Sequence, residues 1–237
     1  MSIPLSMLLQ ISDSAFPTGA FAYSNGLEAL ARAGKLGTTT ALESYLDAYL
    51  RQAGEFDLAF VAAAHAEADP VSFEILCMEW DATLWNHPVR KASLRQGRAL
   101  LDSLSDTFPQ AGLTDLKRAA SKQSAFPTSS NMSSTMEWDL HFVPALGRAL
   151  GLLCASVEQA CWLYIHGLIR DQMAAAMRLG ILGPRSAQTI QAKALAAAET
   201  RIASATLPPY REAWRTSPLV EAGQGGHGFL YSRLFQN

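Results

Sequence analysis

Apolar residues recur along most of this chain at helical spacing, three or four residues apart, and not in the alternation typical of strands. Leu42, Leu46 and Tyr49 form one such face. The capping-box spacing of Thr40 and Glu43 predicts that a helix starts close to these two residues. The same periodicity, broken by proline, glycine and short polar clusters, predicts further helices over 3–11, 20–33, 55–68, 71–85, 88–104, 114–122, 155–179 and 186–204.

The longest of these segments, 155–179, is apolar almost all round until Arg170, which is typical of the central helix of a bundle. Gly167 lies inside it and predicts the close approach of another backbone. Loops are predicted at 12–19 and 123–135, where serine, threonine, proline and glycine concentrate.

Composition supports an all-α fold. The 237 residues include 39 Ala and 32 Leu but only 14 Val and Ile together, and these β-branched residues are the ones that favour strands. We therefore predict a single-domain helical bundle of about eight to ten helices with a long central helix. It occupies residues 1–207, and residues 208–237 form a flexible, glycine-rich C-terminal tail that ends in YSRLF.

Charge argues against a dedicated nucleic-acid binder, because the net charge is only −2. Residues 1–85 hold 11 acidic and 3 basic side chains, whereas the remainder holds 10 acidic and 16 basic ones. Either this uneven charge orients partners, or the opposite charges of the two halves neutralise each other within one fold. The chain lacks an uncharged apolar run of 18 residues, so we expect no membrane span and no membrane partner.

The three cysteines, Cys77, Cys154 and Cys161, are an odd number without a CxxC pair, which is typical of reduced thiols. The N-terminus, MSIPLSMLLQISDS, lacks the basic start and long apolar run of a signal peptide. We therefore expect a cytoplasmic protein.

The chain contains none of the common nucleotide-binding or hydrolase motifs, such as a Walker A loop, GxGxxG, GxSxG or HExxH. Cys154, Glu158 and Cys161 share one helix face and could hold a soft divalent metal, although small core cysteines are the more common explanation. His227, in GQGGHGF, could meet a metal or a partner, or lie in a disordered tail.

Two further clusters leave alternatives open. Lys91, Arg95 and Arg98 form a basic stripe that could dock an acidic partner or phosphates, or could simply be a solvated helix face. The aromatic-rich stretch around Trp162 and His166 in the central helix could cradle a small cofactor, so an all-α cofactor-binding enzyme is the alternative function. Aromatic residues at this spacing are more often core.

The least ordinary segment is SDSAFPTGAFAYSNGLE, at residues 12–28. The side chains of Asp13 and Ser14 can bind the local backbone, Pro17 fixes φ, and Gly19 permits a tight turn. Phe16 adds an aromatic plug. The segment is either an anchored turn between helices or a rigid, displayed epitope.

This segment resembles the N-terminal signature of the urease accessory protein F (UreF) family, and so do ASLRQGRALL, HFVPALGRALGL, MRLGILG and the terminal YSRLF, in family order. The resemblance implies a non-enzymatic, homodimeric helper in nickel insertion. Such a protein binds an accessory protein of the UreD/UreH type, recruits a GTPase of the UreG type and acts on apo-urease. It implies no cofactor, because the nickel is handled by the complex and not firmly bound here.

Within the signatures, Tyr23 stands where histidine is usual, and Gly225, Gly226 and Gly228 replace Met, Arg and Glu. These glycines raise the entropy cost of ordering the tail, which is why we expect it to be flexible. The resemblance implies partner-binding roles for Asp13, Ser14, Phe16, Pro17, Gly19, Tyr23, Glu28, Arg95, Arg98, His227, Tyr231, Arg233 and Phe235.

Overall fold

The structure is a computed structural model that describes residues 2–123, 138–204 and 207–236. Within these ranges the regular backbone is helical and contains no strand, so the predicted all-α fold is confirmed. The helices are α1 (Leu5–Ser12), α2 (Leu27–Arg32), α3 (Thr39–Gln52), α4 (Leu58–Ala66), α5 (Pro70–Ala82), α6 (His87–Thr107), α7 (Ala111–Gln123), α8 (Phe142–Leu152), α9 (Val157–Arg178), α10 (Pro184–Ser204) and α11 (Pro218–Gly226).

Helices α3 and α4 are joined without a break by a π-helical turn, Ala53–Asp57. We predicted a new helix at residue 55, and this boundary is wrong because Gly54 does not end the helix. The extra residue of a π turn rotates the following side chains, which places both Phe56 and Asp57 in the interior. The described residues therefore form ten separate helical rods, at the upper end of the predicted number.

The centre of the bundle is α8 and α9, against which α4 packs. Gly147 and Gly151 lie on the face of α8 that meets α4, and a Cβ atom at either position would collide with a backbone carbonyl of Val61 or His65. Helix α9 begins with a capping box between Ser156 and Gln159, which satisfies the free N–H groups of its first turn. These contacts fix the frame on which the terminal segments lie.

The predicted long central helix is confirmed as α9. The expected reason for Gly167 is wrong, because a Cβ atom added there would meet only the flexible Arg170 guanidinium, at 3.9 Å, and not another backbone. Close backbone approaches occur instead at Gly26, Gly97, Gly147 and Gly151.

The single helix predicted over 20–33 is divided into a short 3-10 turn, Ala20–Ala22, and helix α2. Asn25 and Gly26 between them have left-handed backbone conformations, with φ of 50° and 96°. The break has a tertiary cause: a Cβ atom on Gly26 would lie 2.6 Å from the backbone nitrogen of Gln224 in α11. The chain bends here so that α11 can lie directly against the start of α2.

The C-terminal segment, defined here as residues 213–236, is folded onto the body, so the prediction of a flexible tail is wrong. Helix α11 buries Val220 and Gln224, and His227 after it is also buried. Two glycines of α11 permit close packing on the body: a Cβ atom would lie 2.9 Å from the Leu30 side chain at Gly223 and 3.3 Å from the Asn86 side chain at Gly225. Close packing therefore offsets the ordering entropy that we expected to dominate.

The helices described here are all too short or too polar to cross a membrane. Apart from Gln123, the loop predicted at 123–135 lies outside the described residues.

Candidate functional site

A buried carboxylate, Glu28 in α2, holds the end of the chain. Its two oxygens accept hydrogen bonds from the backbone N–H groups of Leu234 and Phe235, at 2.7 and 3.2 Å. The Nε2 atom of His227 lies 3.1 Å from the same carboxylate. Glu28 and His227 are both 0% exposed. Three groups of the C-terminal segment therefore converge on one residue of the N-terminal signature.

A second anchor is Arg178, in the last turn of α9. Its guanidinium carbon lies 4.0 Å from the ring centroid of Phe21 and 4.2 Å from that of Phe235. It also donates a hydrogen bond to the carbonyl of Phe21. The backbone N–H of Gln236 donates to the carbonyl of Ala22 at 2.7 Å, so the two terminal segments are bonded directly to each other as well.

We expect Arg178→Ala to lower the free energy of unfolding by about 1–2 kcal/mol, because two cation–π contacts and one charged hydrogen bond are lost. The substitution should also loosen Phe21 and Phe235 together. Thermal unfolding monitored by circular dichroism measures the effect. The control is Arg185→Ala, since Arg185 is exposed at the start of α10, and its substitution should change stability by less than about 0.5 kcal/mol. Equal stability of both variants would contradict the anchoring role.

Around these anchors the molecule displays apolar side chains to solvent. Phe229 is 92% exposed, and Tyr231, Phe21 and Leu234 are also exposed. Arg233 donates hydrogen bonds to the carbonyls of Gly228 and Leu230, which closes residues 228–233 into a compact turn. We call the four exposed side chains, Phe21, Phe229, Tyr231 and Leu234, the docking surface.

Other exposed apolar side chains surround the C-terminal segment. Trp214 and Leu219 belong to it, and Trp85 precedes Asn86, which donates a hydrogen bond to the backbone carbonyl of Glu221 at 3.2 Å. Most of the large exposed apolar side chains of the described residues thus lie in this segment or beside it. Such a concentration is typical of a protein-interaction site.

The N-terminal loop is a turn that is hydrogen-bonded and packed against the body on one side and exposed to solvent on the other. The Asp13 carboxylate accepts from the N–H of Ala15 at 2.7 Å, and Gly19 has φ of 75°, which confirms the predicted left-handed turn. Phe16 is buried and stacks on Phe108 with ring centroids 6.5 Å apart. The Pro17 carbonyl accepts from the Ser103 hydroxyl of α6 at 2.9 Å.

The predicted site residues divide by exposure into two groups. Five of them are buried, and their roles in partner binding stay predictions: Phe16, Tyr23, Glu28, His227 and Phe235. Glu28, His227 and Phe235 are buried where the C-terminal segment meets α2, and Phe16 is buried against Phe108. The other eight are exposed: Asp13, Ser14, Pro17, Gly19, Arg95, Arg98, Tyr231 and Arg233.

Arg95 and Arg98 lie in a different place, where they line an open groove between α6 and α7 together with Lys91 and Lys117. Lys117 is paired with Asp102 at 3.0 Å, so part of the groove's positive charge is neutralised. The structure does not bring this basic stripe into the docking surface.

The two alternatives that involve small ligands, a metal site at the cysteines and a cofactor site at the aromatic residues of α9, find little support. The described residues contain no group of three histidine, cysteine or acidic side chains placed to hold a metal, and Cys154 is exposed whereas Cys161 is buried. The aromatic stretch of α9 does not face one pocket. Tyr164 lines a partly open cavity, whereas Trp162 and His166 line an open groove beside α1 and α10.

Sequence reasoning missed the most important contacts of the site. Arg178 lies in the quoted MRLGILG segment, but its local sequence carries no sign of two aromatic partners far away along the chain. Phe229 was not singled out either, because its exposure becomes apparent only in the folded chain.

The fold and this surface define a class of protein: an all-α protein with a cluster of exposed apolar side chains on its terminal segments. The UreF family model matches residues 36–195. The chain is 33% identical to urease accessory protein F of Arabidopsis thaliana over 95% of this chain and 90% of the relative. It is 32% identical to that of Oryza sativa subsp. indica (95% and 82%) and 30% identical to UreF of Trichodesmium erythraeum (97% and 95%).

The chain therefore belongs to the UreF family of urease accessory proteins, as its motifs indicated. It is an accessory protein and not an enzyme. Membership supports a role in the maturation of urease.

Proposed function

We propose that this chain is a scaffold that binds a UreD/UreH-type accessory protein through the docking surface and recruits a UreG-type GTPase for nickel insertion into apo-urease. The observation that carries the proposal is the docking surface itself, with Phe229 92% exposed on a segment that is anchored from beneath. Aromatic side chains that are exposed yet held in place lose little entropy on binding, which suits them to be interface hot spots.

The anchoring explains why buried residues belong to the same function. Glu28 and His227 hold the C-terminal segment in one conformation, and Arg178 holds Phe21 beside it. A partner then meets a surface that is already ordered. Because the cost of ordering is met within the chain, the affinity gained from Phe229 and Tyr231 is larger than it would be from a flexible tail.

We expect the double substitution Phe229→Ser with Tyr231→Ser to weaken binding of the UreD/UreH-type partner at least about tenfold, because two interface aromatics are removed. Stability should change little, since both side chains are exposed. Size-exclusion chromatography and calorimetry with the purified partner measure both. The control is Val71→Ser, because Val71 is also apolar and exposed but lies in α5.

Failure of the wild-type chain to bind either partner type would refute the proposed function. Normal binding by the double variant would instead show that the partner uses another face.

We also propose that the chain pairs with a second copy, as the family resemblance implies. Support comes from the groove between α1, α9 and α10, which is lined by Leu9, Trp162 and Leu195, with Leu5 and Val157 also exposed on α1 and α9. Sedimentation of the isolated chain over a range of concentrations tests this pairing, and a monomer throughout would contradict it.

We further propose that nickel is cargo held mainly by the partners and that the assembly works in the cytoplasm. Equilibrium dialysis of the isolated chain against nickel tests the first point. Tight binding that is lost on Cys154→Ser or His227→Ala would contradict it.

A further inference from the structure

A partly open cavity of about 110 Å³ lies where the body and the N-terminal loop meet the C-terminal segment. Asp57 of the π turn, Trp80 of α5 and Tyr164 of α9 line it from the body. Arg215 and Gln224 line it from the C-terminal segment. Residues of the body and of the C-terminal segment therefore form the cavity together. The surroundings of its polar groups change when the C-terminal segment leaves the body.

Several of the polar groups that line the cavity lack a partner within the protein. The Nε atom of Arg215, the Nε1 atom of Trp80 and the Oε1 atom of Gln224 are buried without a hydrogen bond. Buried polar atoms are rarely left unpaired, and ordered water is the usual partner. A cavity of 110 Å³ accommodates several water molecules, each of which needs about 10–15 Å³ of this kind of volume.

Asp57 is one of two acidic groups of the body that line this cavity, and the other is Asp171. The Tyr164 hydroxyl donates to its carboxylate at 2.6 Å. The charged groups of the C-terminal segment that face it are Arg215 and Glu221, which form a buried ion pair with each other. Tyr49 of α3 faces it from the remaining side. Burial raises the pKa of Asp57 to about 6, against the lowering effects of Arg215 and Tyr164.

The geometry points to Asp57 as a proton-linked switch that sets how firmly the C-terminal segment docks on the body. Undocking withdraws Arg215 and Glu221 and opens the cavity to solvent. The main cause of the raised pKa, burial, is then lost, and the carboxyl group returns toward its ordinary value.

The sign follows from proton linkage. The docked state has the higher pKa and so binds more protons between about pH 4 and pH 6. The C-terminal segment is therefore held on the body most strongly at low pH, and its docking there weakens as the pH rises through about 6. For this shift, the docking equilibrium constant should fall about tenfold between pH 5 and pH 7.

Two other ionisable pairs could also make the docking of the C-terminal segment depend on pH, and the test has to distinguish their contribution from that of Asp57. His227 and Glu28 also hold the segment, and Arg170 and Asp171 line the same cavity, paired at 2.8 Å. Asp57→Asn mimics the protonated side chain and leaves both pairs in place. Asp171→Asn is the matched control, because it removes another buried carboxylate of the cavity without touching Asp57.

Hydrogen exchange followed by mass spectrometry tests the switch on the isolated chain. After correction for intrinsic exchange rates, protection of residues 217–230 should fall about tenfold from pH 5 to pH 7 in the wild type and in Asp171→Asn. In Asp57→Asn this fall should be absent. A wild-type profile without the fall, or an Asp57→Asn profile that keeps it, would overturn the inference.

If Asp57→Asn does not fold, carbon-13 NMR of the wild type decides the matter. The switch is supported if a sequentially assigned Asp57 carboxyl group titrates near pH 6 and the protection of residues 217–230 in the wild type falls over the same pH range. An Asp57 carboxyl group that titrates near its ordinary value overturns it. The inference about Asp57 rests on the proposed function only for the biological role of the switch. Because neither experiment uses a partner, its failure is distinguishable from a failure of partner binding.

Discussion

Replacing Glu28 with alanine is expected to lower the free energy of unfolding by about 3 kcal/mol, because a buried carboxylate is lost and its donors are left unpaired. The donors are the N–H groups of Leu234 and Phe235 and the ring of His227. Without their acceptor, residues 227–236 should detach from α2. Urea unfolding measures the stability, and partner binding should be lost together with the ordered surface.

The control for this substitution is Glu43→Ala. The Glu43 carboxylate pairs with Lys193 at 3.3 Å, but the Lys193 side chain is 69% exposed, so the pair contributes little. We expect a change below about 0.5 kcal/mol. If Glu28→Ala were as mild as Glu43→Ala, Glu28 would not be the anchor of the C-terminal segment.

The second large effect is expected for Gly26→Ala, at about 4 kcal/mol. Alanine is strained at φ of 96°, and its Cβ atom would lie 2.6 Å from the backbone nitrogen of Gln224 and 2.7 Å from the carbonyl carbon of Gly223. Backbone atoms cannot rotate aside as a flexible side chain can, so either α2 or α11 must move. Differential scanning calorimetry measures the loss.

Gly54→Ala is the comparison, because Gly54 lies in the continuous α3–α4 helix and a Cβ atom there meets nothing within 4 Å. It should be neutral or stabilising by up to about 1 kcal/mol, since alanine is the better helix former. Similar melting temperatures for Gly26→Ala and the wild type would mean that α11 does not lie against the start of α2.

Local patterns predicted the helices whose ends are encoded locally. Pro88 marks the start of α6 and Gly180 marks the end of α9, each within a few residues. Within each helix, the apolar face of the sequence identifies the side that is buried. The break at Gly26 could not be predicted in this way. It depends on α11, which meets it only after the chain has folded.

The docking of the C-terminal segment shows the same limit. Three glycines in a polar stretch predict disorder when each residue is judged alone. In the structure, Gly223 and Gly225 allow close contact with Leu30 and Asn86, and Glu28 supplies the acceptor for the end of the chain. The prediction failed because the stabilising partners are distant in sequence.

The candidate site was predicted in its parts but not in its arrangement. The signature around Phe16 and Gly19 and the terminal YSRLF were both singled out, and both lie in the terminal segments that form the site. That Glu28 binds the other segment from within, and that Arg178 lies between two aromatic rings, are tertiary facts. A pattern along the chain identifies which residues matter more readily than it identifies what they touch.

The most direct test is to restore urease activity in cells that carry the urease gene cluster of the same organism without its gene for this protein. Expression of the wild-type chain should restore activity and the nickel content of urease, whereas Phe229→Ser with Tyr231→Ser, at equal abundance, should not. No restoration by the wild type, or full restoration by the double variant, would contradict a scaffold that works through this surface.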